Sequence, residues 1–281
     1  MSEWRASGGD RLGEQSLVWK KTQKRSPVVR CATTVGGIPG TVEFAREKLG
    51  FSPDWRQEML LRGFSAQTVS RGMVCCTRQW GKSTVAAVMA VHRAYFYPKS
   101  TVIVACPTEK QSAELVFKAR DFMLKLGLPR KGDGGNRISL TFPNGSRIVG
   151  IPGKEMTLRG FSAVSLLIID EASRVEDEVY KALRPMLAVG NGDLWLLSTP
   201  YGKRGFFYEN WAGGDEDWMK TSVPATECPR ITREFLEQER RQLGELWFRQ
   251  EYMCEFIEEG HQMFEMDLLM EALEDDVEPL F

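Results

Sequence analysis

Apolar residues along this chain follow two rhythms. Short continuous runs, Met73 to Cys76, Thr101 to Cys106, Ser165 to Asp170 and Asp193 to Leu197, alternate with longer stretches where apolar residues recur every three or four positions. The short runs read as strands buried on both faces, and the longer period reads as amphipathic helix. The pattern predicts helices over residues 41–63 (Val42, Ala45, Leu49; then Trp55, Met59, Leu60), 83–95, 109–126, 178–187, 233–243 and 246–255. Pro53-Asp54 punctuates the first stretch and is expected to cap a new helix that includes Gln57. Arg184-Pro185 interrupts the fourth, and Thr232 caps the fifth. Ile138 to Phe142 and Arg147 to Ile151 flank Pro143-Asn144-Gly145-Ser146, and Asn-Gly between two strand-like runs is a hairpin signal. Strands alternating with helices predict an α/β fold: a mainly parallel central sheet flanked by helices.

Composition changes this picture little. The chain has 281 residues, 42% apolar and 27% charged, ordinary values for a globular protein with a sizeable core. Residues 1–40 are polar and are expected to form a flexible tail. Their stripe of Lys20, Lys21, Lys24, Arg25 and Arg30 reads as a solvated charge run ahead of a nucleic-acid arm. The expected core spans 41–222. A helical, charged lid or linker spans 223–265, and 266–281 is an acidic end. Net charge is −1, so a basic field over the whole protein is excluded and any nucleic-acid contact needs a local patch. The six cysteines form no C-x-x-C pair; Cys76 and Cys106 are expected as small buried residues in a reducing compartment. His92 and His261 lie far apart, which argues against zinc. No apolar run reaches membrane-spanning length, and no membrane partner is expected.

The candidate chemistry sits at two places. Cys76-Thr77-Arg78-Gln79-Trp80-Gly81-Lys82-Ser83-Thr84 joins a predicted strand to a predicted helix. That layout is a phosphate-binding P-loop: amide groups at the new helix N-terminus point at an anion, and the helix dipole assists. Lys82 supplies charge for the β/γ-phosphates of ATP, and Ser83 a hydroxyl for Mg²⁺. The usual first glycine would fall at Cys76 and is missing. Arg78 occupies the loop, and its fork of donors suits phosphate; a plain surface role is the alternative. Downstream, Leu166 to Ile169 end in Asp170-Glu171. A carboxylate at a strand's carboxyl end suits Mg²⁺, and Glu171, turned differently, suits the attacking water. Either motif alone is weak; each supplies what the other lacks.

Three further signals are softer. Arg159, in Thr157-Leu158-Arg159-Gly160-Phe161, fits either an arginine finger projected into a neighbouring subunit or a local salt bridge. Ser198 and Thr199 end a strand; their hydroxyls fit γ-phosphate sensing or an ordinary hydrogen-bonded strand end. Gln57 carries an amide that suits an adenine edge. Trp247, Phe248, Tyr252 and Phe256 share one helical face and read as core packing rather than base stacking.

Together these features resemble the ATPase half of the large terminase subunit, the DNA-packaging motor of tailed bacteriophages. The resemblance rests on Trp55-Arg56-Gln57, Thr77-Arg78-Gln79-Trp80-Gly81-Lys82-Ser83, Pro107-Thr108, Asn144-Gly145-Ser146, Leu158-Arg159-Gly160-Phe161-Ser162, Ile168-Ile169-Asp170-Glu171-Ala172, Ser198-Thr199-Pro200 and Trp247-Phe248-Arg249-Gln250-Glu251-Tyr252. It covers roughly residues 50–265, and an arginine in a P-loop without its first glycine is a habit of that family. It implies a RecA-like P-loop ATPase (ASCE type) with a small helical lid. It implies a homo-oligomeric ring on a portal protein, a small terminase subunit as partner, and movement of double-stranded DNA. The setting implied is the host cytoplasm, at the procapsid vertex. By position, Gln57 would serve adenine, Arg78, Gln79, Trp80, Gly81, Lys82 and Thr84 the phosphates, and Ser83 and Asp170 magnesium. Glu171 would serve the water, Ser198 and Thr199 would couple hydrolysis to motion, and Arg159 would act in trans. Family members carry a C-terminal nuclease domain; the short acidic end here is not expected to supply one, so no DNA cleavage by this chain is expected, and an isolated domain, a truncated gene product and a separately encoded nuclease as partner all stay open. A helicase-like nucleic-acid ATPase and a nucleotide-binding assembly switch are the rival readings.

Overall fold

The two rhythms resolve into layers in a computed structural model of the chain. It describes residues 34–35, 37–66, 69–135, 137–152, 161–213 and 217–258. The element order opens with β1 (Thr34–Val35), β2 (Ile38–Pro39), α1 (Thr41–Glu47), α2 (Trp55–Ser65), β3 (Arg71–Cys76) and α3 (Lys82–Phe96). It continues with β4 (Thr101–Cys106), α4 (Glu109–Lys125), β5 (Ser139–Thr141), β6 (Arg147–Pro152), β7 (Val164–Asp170) and α5 (Asp177–Leu183). It closes with β8 (Asp193–Ser198), α6 (Gly205–Ala212), β9 (Met219–Val223), α7 (Arg233–Leu243) and α8 (Glu245–Met253). Short 3₁₀ turns lie at Ala172–Arg174, Arg184–Leu187 and Ala225–Glu227.

Seven strands form one sheet in the order β5-β6-β4-β7-β8-β3-β9. All neighbours run parallel except β5 and β6. Successive side chains of a strand point to opposite faces, and the core divides accordingly. Val74, Val104, Ile168 and Leu197 join one apolar cluster with α3 and α4, while Met73, Ile103, Ile169 and Leu196 join a second with α5 and α6. Both faces are covered, which is why the strands read as unbroken apolar runs. Where β3 crosses β8, Gly72 makes room: a Cβ there would lie 2.4 Å from the Trp195 ring.

The β5–β6 turn is the expected hairpin. Gly145 takes φ 83°, and Asn144 Nδ2 donates to the carbonyls of Ala94 and Tyr95 at 2.9 and 3.0 Å, tying the turn to the end of α3. Asp54 caps α2 in a reciprocal box with Gln57, and Thr108 and Thr232 cap α4 and α7.

Four elements depart from the expectation. Residues 34–39, placed in the polar tail, include a short antiparallel pair, β1 with β2. Helix α6 and strand β9 have no counterpart in the sequence pattern. β9 pairs with β3 and forms one edge of the sheet. Phe256 lies beyond α8 and packs with Phe207 and Trp211 on the opposite face of the sheet, so the aromatic helical face ends at Tyr252. Trp247 is exposed, whereas Gln250 and Glu251 are buried. The remainder of the expected tail (1–33) and the acidic end (266–281) lie outside the described residues.

Candidate active site

β3 and β7 are not neighbours; β8 lies between them. Their carboxyl ends nonetheless open on the same side, because all three run parallel. That edge is where open α/β sheets place ligands. β3 delivers the loop Thr77 to Gly81, β7 delivers Asp170-Glu171, and β8 delivers Ser198-Thr199 between them.

The loop turns sharply at two left-handed residues, Gln79 at φ 61° and Gly81 at φ 95°. Gly81 begins α3 without a side-chain cap. The first amide groups of that helix therefore remain for a ligand to satisfy. A Cβ at Gly81 would meet Gln57 Nε2 at 3.1 Å, so glycine answers a need for space as well as backbone freedom. The Trp80 ring, expected among the nucleotide-binding residues, is fully buried in the core. The Trp80 carbonyl accepts from Gln57 Nε2 at 2.8 Å and from Arg230 Nη2.

Gln57 therefore sits differently from an adenine reader. Its Oε1 accepts from the Asp54 amide at 3.1 Å as part of the α2 cap, and its Nε2 is held by Trp80. One end of the amide caps α2, and the other braces the loop.

The reacting groups converge. Ser83 Oγ donates to Asp170 Oδ2 at 2.7 Å, and the Glu171 amide donates to Asp170 Oδ1 at 3.0 Å. Lys82 Nζ lies 2.8 Å from Glu171 Oε1. Burial pulls the Lys82 ammonium toward neutrality, but Asp170 and Glu171 together outweigh it, and the net shift is upward. Burial raises the Asp170 carboxyl, with Lys82 and the Ser83 hydrogen bond working against it. Glu171 itself holds φ 54°, a conformation costly for a residue with a Cβ. Thr84, half-buried, follows in the first turn of α3.

A cleft of about 450 Å³ opens over these groups. Among the described residues, Arg78, Lys82, Lys118 and Arg174 line it against the single carboxylate of Glu171. That excess of cations makes it an anion site. Ser83 Oγ and Asp170 Oδ2 are hard oxygen donors that suit magnesium. Among the described residues no cluster of three or more His, Cys, Asp or Glu could hold a metal alone. A magnesium ion held by Ser83 and Asp170 would need its remaining ligands from outside the protein, as magnesium commonly does.

Ser198 is tied to the turn that carries Glu171. Its Oγ lies 2.7 Å from Ser173 Oγ and accepts from the Ser173 amide at 3.1 Å. The Ser173 hydroxyl also reaches the Thr199 carbonyl at 2.8 Å. Thr199 Oγ1 is buried and has no hydrogen-bond partner among the described residues. Arg159 lies outside the described residues.

Lys118, Ser173, Arg174, Arg230 and Glu251 were not singled out one by one from sequence. Glu251, on α8, is the most consequential. Its buried carboxylate pairs with Arg78 and lies 4.0 Å from Arg174 Nη2. Its carbonyl accepts from the Arg78 amide at 3.5 Å and Thr77 Oγ1 at 3.2 Å. The Glu251 hydrogen bond raises the Arg78 guanidinium further above its ordinary value. Its one local signal is a carboxylate three residues after Phe248, on the face that packs.

Comparison with known proteins shows what this chain is similar to. The sequence model of "Terminase large subunit, T4likevirus-type, N-terminal" matches residues 75–270. The large terminase subunit of Thermus virus P23-45 is 28% identical over 267 residues, covering 80% of this chain and 53% of the relative. The chain thus spans about half the length of the curated relatives it matches. Among solved structures, the large terminase ATPase domain of Thermus phage P74-26 is similar at TM-score 0.65 and 25% identity, covering 75% of this chain and 96% of that one. The large terminase of bacteriophage HK97 shares the fold at TM-score 0.66 and 14% identity, over 77% of this chain and 55% of that one. The family match spans more than two thirds of the chain, and the chain belongs to the large terminase subunit family, as its N-terminal ATPase portion.

Proposed function

We propose that this chain is a magnesium-dependent ATPase that drives double-stranded DNA through a portal into a procapsid. The observation that carries it is the hydrogen bond of 2.7 Å between Ser83 Oγ and Asp170 Oδ2. It sets a P-loop hydroxyl and a strand-end carboxylate at the spacing magnesium would bridge. In this reading Lys82 and the α3 amides hold the β/γ-phosphates, and Ser83 and Asp170 would hold magnesium, which would supply charge compensation there. ATP binding draws Lys82 away from Glu171, whose carboxylate then orients the attacking water. Arg78 adds a phosphate contact on leaving Glu251. Residues 41–222 act as the motor core and 223–265 as its lid. The links between Ser198, Thr199 and Ser173 support a route from hydrolysis to movement. The large terminase of a thermophilic bacteriophage, which shares the fold at TM-score 0.59, is known in complex with ADP, and this supports a nucleotide here.

Work on DNA calls for a homo-oligomeric ring on a portal, with a small terminase subunit, at the procapsid vertex in the host cytoplasm. Arg159 from a neighbouring subunit would complete each site. The test is ATP hydrolysis per chain, with magnesium, over a wide range of protein concentration, with Glu171→Gln and Arg159→Ala alongside. A per-chain rate that rises with concentration and falls in both variants supports the ring motor. A concentration-independent rate lost only in Glu171→Gln removes the trans role of Arg159. Tight ATP binding without turnover under every condition, portal included, overturns the motor.

A further inference from the structure

Arg174 has no assigned part in this chemistry, yet it lines the same cleft as Lys82, Ser83 and Glu171. It closes the 3₁₀ turn that begins directly after Glu171, and its amide donates to the Glu171 carbonyl at 2.9 Å. Its guanidinium lies 4.2 Å from the centre of the Tyr201 ring. Its carboxylate neighbour, Glu251 Oε1, stands at 4.0 Å, the outer limit of an ion pair. Among the described residues the guanidinium makes no hydrogen bond, in contrast to Arg78, which is bonded to the same carboxylate. A planar cation stacked on an aromatic face keeps its edge donors free, and those donors match phosphate oxygens two at a time.

Resting on the nucleotide reading above, we propose that Arg174 is a contact made in cis to the terminal phosphate of a nucleoside triphosphate, and that Tyr201 holds it ready. The position follows from chain geometry. Arg174 is three residues past Glu171, so it lies on the side of the cleft where the attacking water and the terminal phosphate meet. A diphosphate leaves that corner empty. Tyr201 follows Ser198-Thr199-Pro200 by one residue, so a guanidinium drawn toward phosphate slides across the ring that the end of β8 carries. Tri- and diphosphate states then differ in the position of that segment.

The test is calorimetric titration of the whole chain with ATPγS and with ADP, both with magnesium. The variants are Arg174→Ala, Arg174→Lys and Tyr201→Leu, each checked by thermal unfolding. Arg174→Ala is expected to weaken ATPγS by about tenfold or more, the usual effect of losing a charge-assisted phosphate contact. ADP should change by less than about twofold. Arg174→Lys should recover part of the loss, and Tyr201→Leu should show a smaller loss with the same preference. Equal loss for both nucleotides, or loss for neither, overturns the inference while leaving the nucleotide reading intact. A wild-type chain that binds neither nucleotide overturns both. If Arg174→Ala unfolds, Arg174→Lys and Tyr201→Leu carry the same comparison.

Discussion

Lys82 Nζ and Glu171 Oε1 stand 2.8 Å apart, so the cation expected to hold phosphate and the carboxylate expected to orient water neutralise one another. Neither is idle without ligand, and neither can do its work until the pair separates. In the function proposed above, a triphosphate would compete for Lys82, and that competition would free Glu171.

Separating the two roles is the first prediction. Lys82→Ala should abolish ATPγS binding. Glu171→Gln should retain it while turnover falls by about 10²-fold or more, the usual contribution of a positioned base. Steady-state hydrolysis and titration on the same samples check this. Equal loss of binding in both variants would deny Glu171 a role confined to the chemical step.

Glu251 is expected to fasten α8 to the phosphate loop. Glu251→Ala removes the buried partner of Arg78 and leaves Phe248 packed in its apolar cluster. The loss should be on the order of 1 kcal/mol, modest because Arg78 is half exposed. Hydrogen exchange should rise over residues 245–253 ahead of the rest of the chain. Unchanged exchange there would show that apolar packing alone holds the helix.

Gly72→Ala should destabilise the sheet by about 1–3 kcal/mol, because the new methyl group would overlap the buried Trp195 ring. Urea unfolding followed by tryptophan fluorescence measures it. Combining Gly72→Ala with Trp195→Leu should cost less than the sum of the single losses, since the ring that obstructs the methyl is gone.

His92 is buried among Phe44, Phe64 and Phe96, and its Nε2 lies 2.9 Å from the Pro39 carbonyl. Burial pushes its pKa down to about 4, with Arg93 adding to the effect. The unfolded chain binds the proton more readily, so this contribution to stability is full above about pH 6.5 and is lost as pH falls toward 4. The swing is at most on the order of 3 kcal/mol. Wild type and His92→Gln should converge in stability as pH falls through that window. Parallel curves would mean that His92 charges in the folded state.

The parts of this molecule legible in its sequence are those whose signal is local. The Gly81-Lys82-Ser83 turn, the Ile168-to-Glu171 strand end and the Asn144-Gly145 hairpin each carry their chemistry within a few residues. β9 carries none. It is an edge strand, Met-Lys-Thr-Ser-Val, only partly buried, and it exists because Met219 finds Gly72 and Val223 finds Cys76. α6 starts without a side-chain cap and sets Phe206 and Phe207 side by side, which leaves no clear helical period. The pairing of Arg78 with Glu251 joins positions 173 residues apart, and no spacing rule reaches that far. Trp247, expected in the packed face, is exposed, and α8 buries Glu251 against Arg78 of the phosphate loop beside the apolar packing of Phe248.

The left-handed backbone of Glu171 sets stability and activity against one another at a single codon. A residue without a Cβ adopts φ 54° at no steric cost, and asparagine adopts it more easily than glutamate. Glu171→Gly or Glu171→Asn would relax that backbone while discarding the carboxylate. A library ranked only by melting temperature would therefore weigh a relaxed backbone against a lost partner for Lys82 and would not see turnover at all, and any attempt to harden this chain has to hold position 171 fixed.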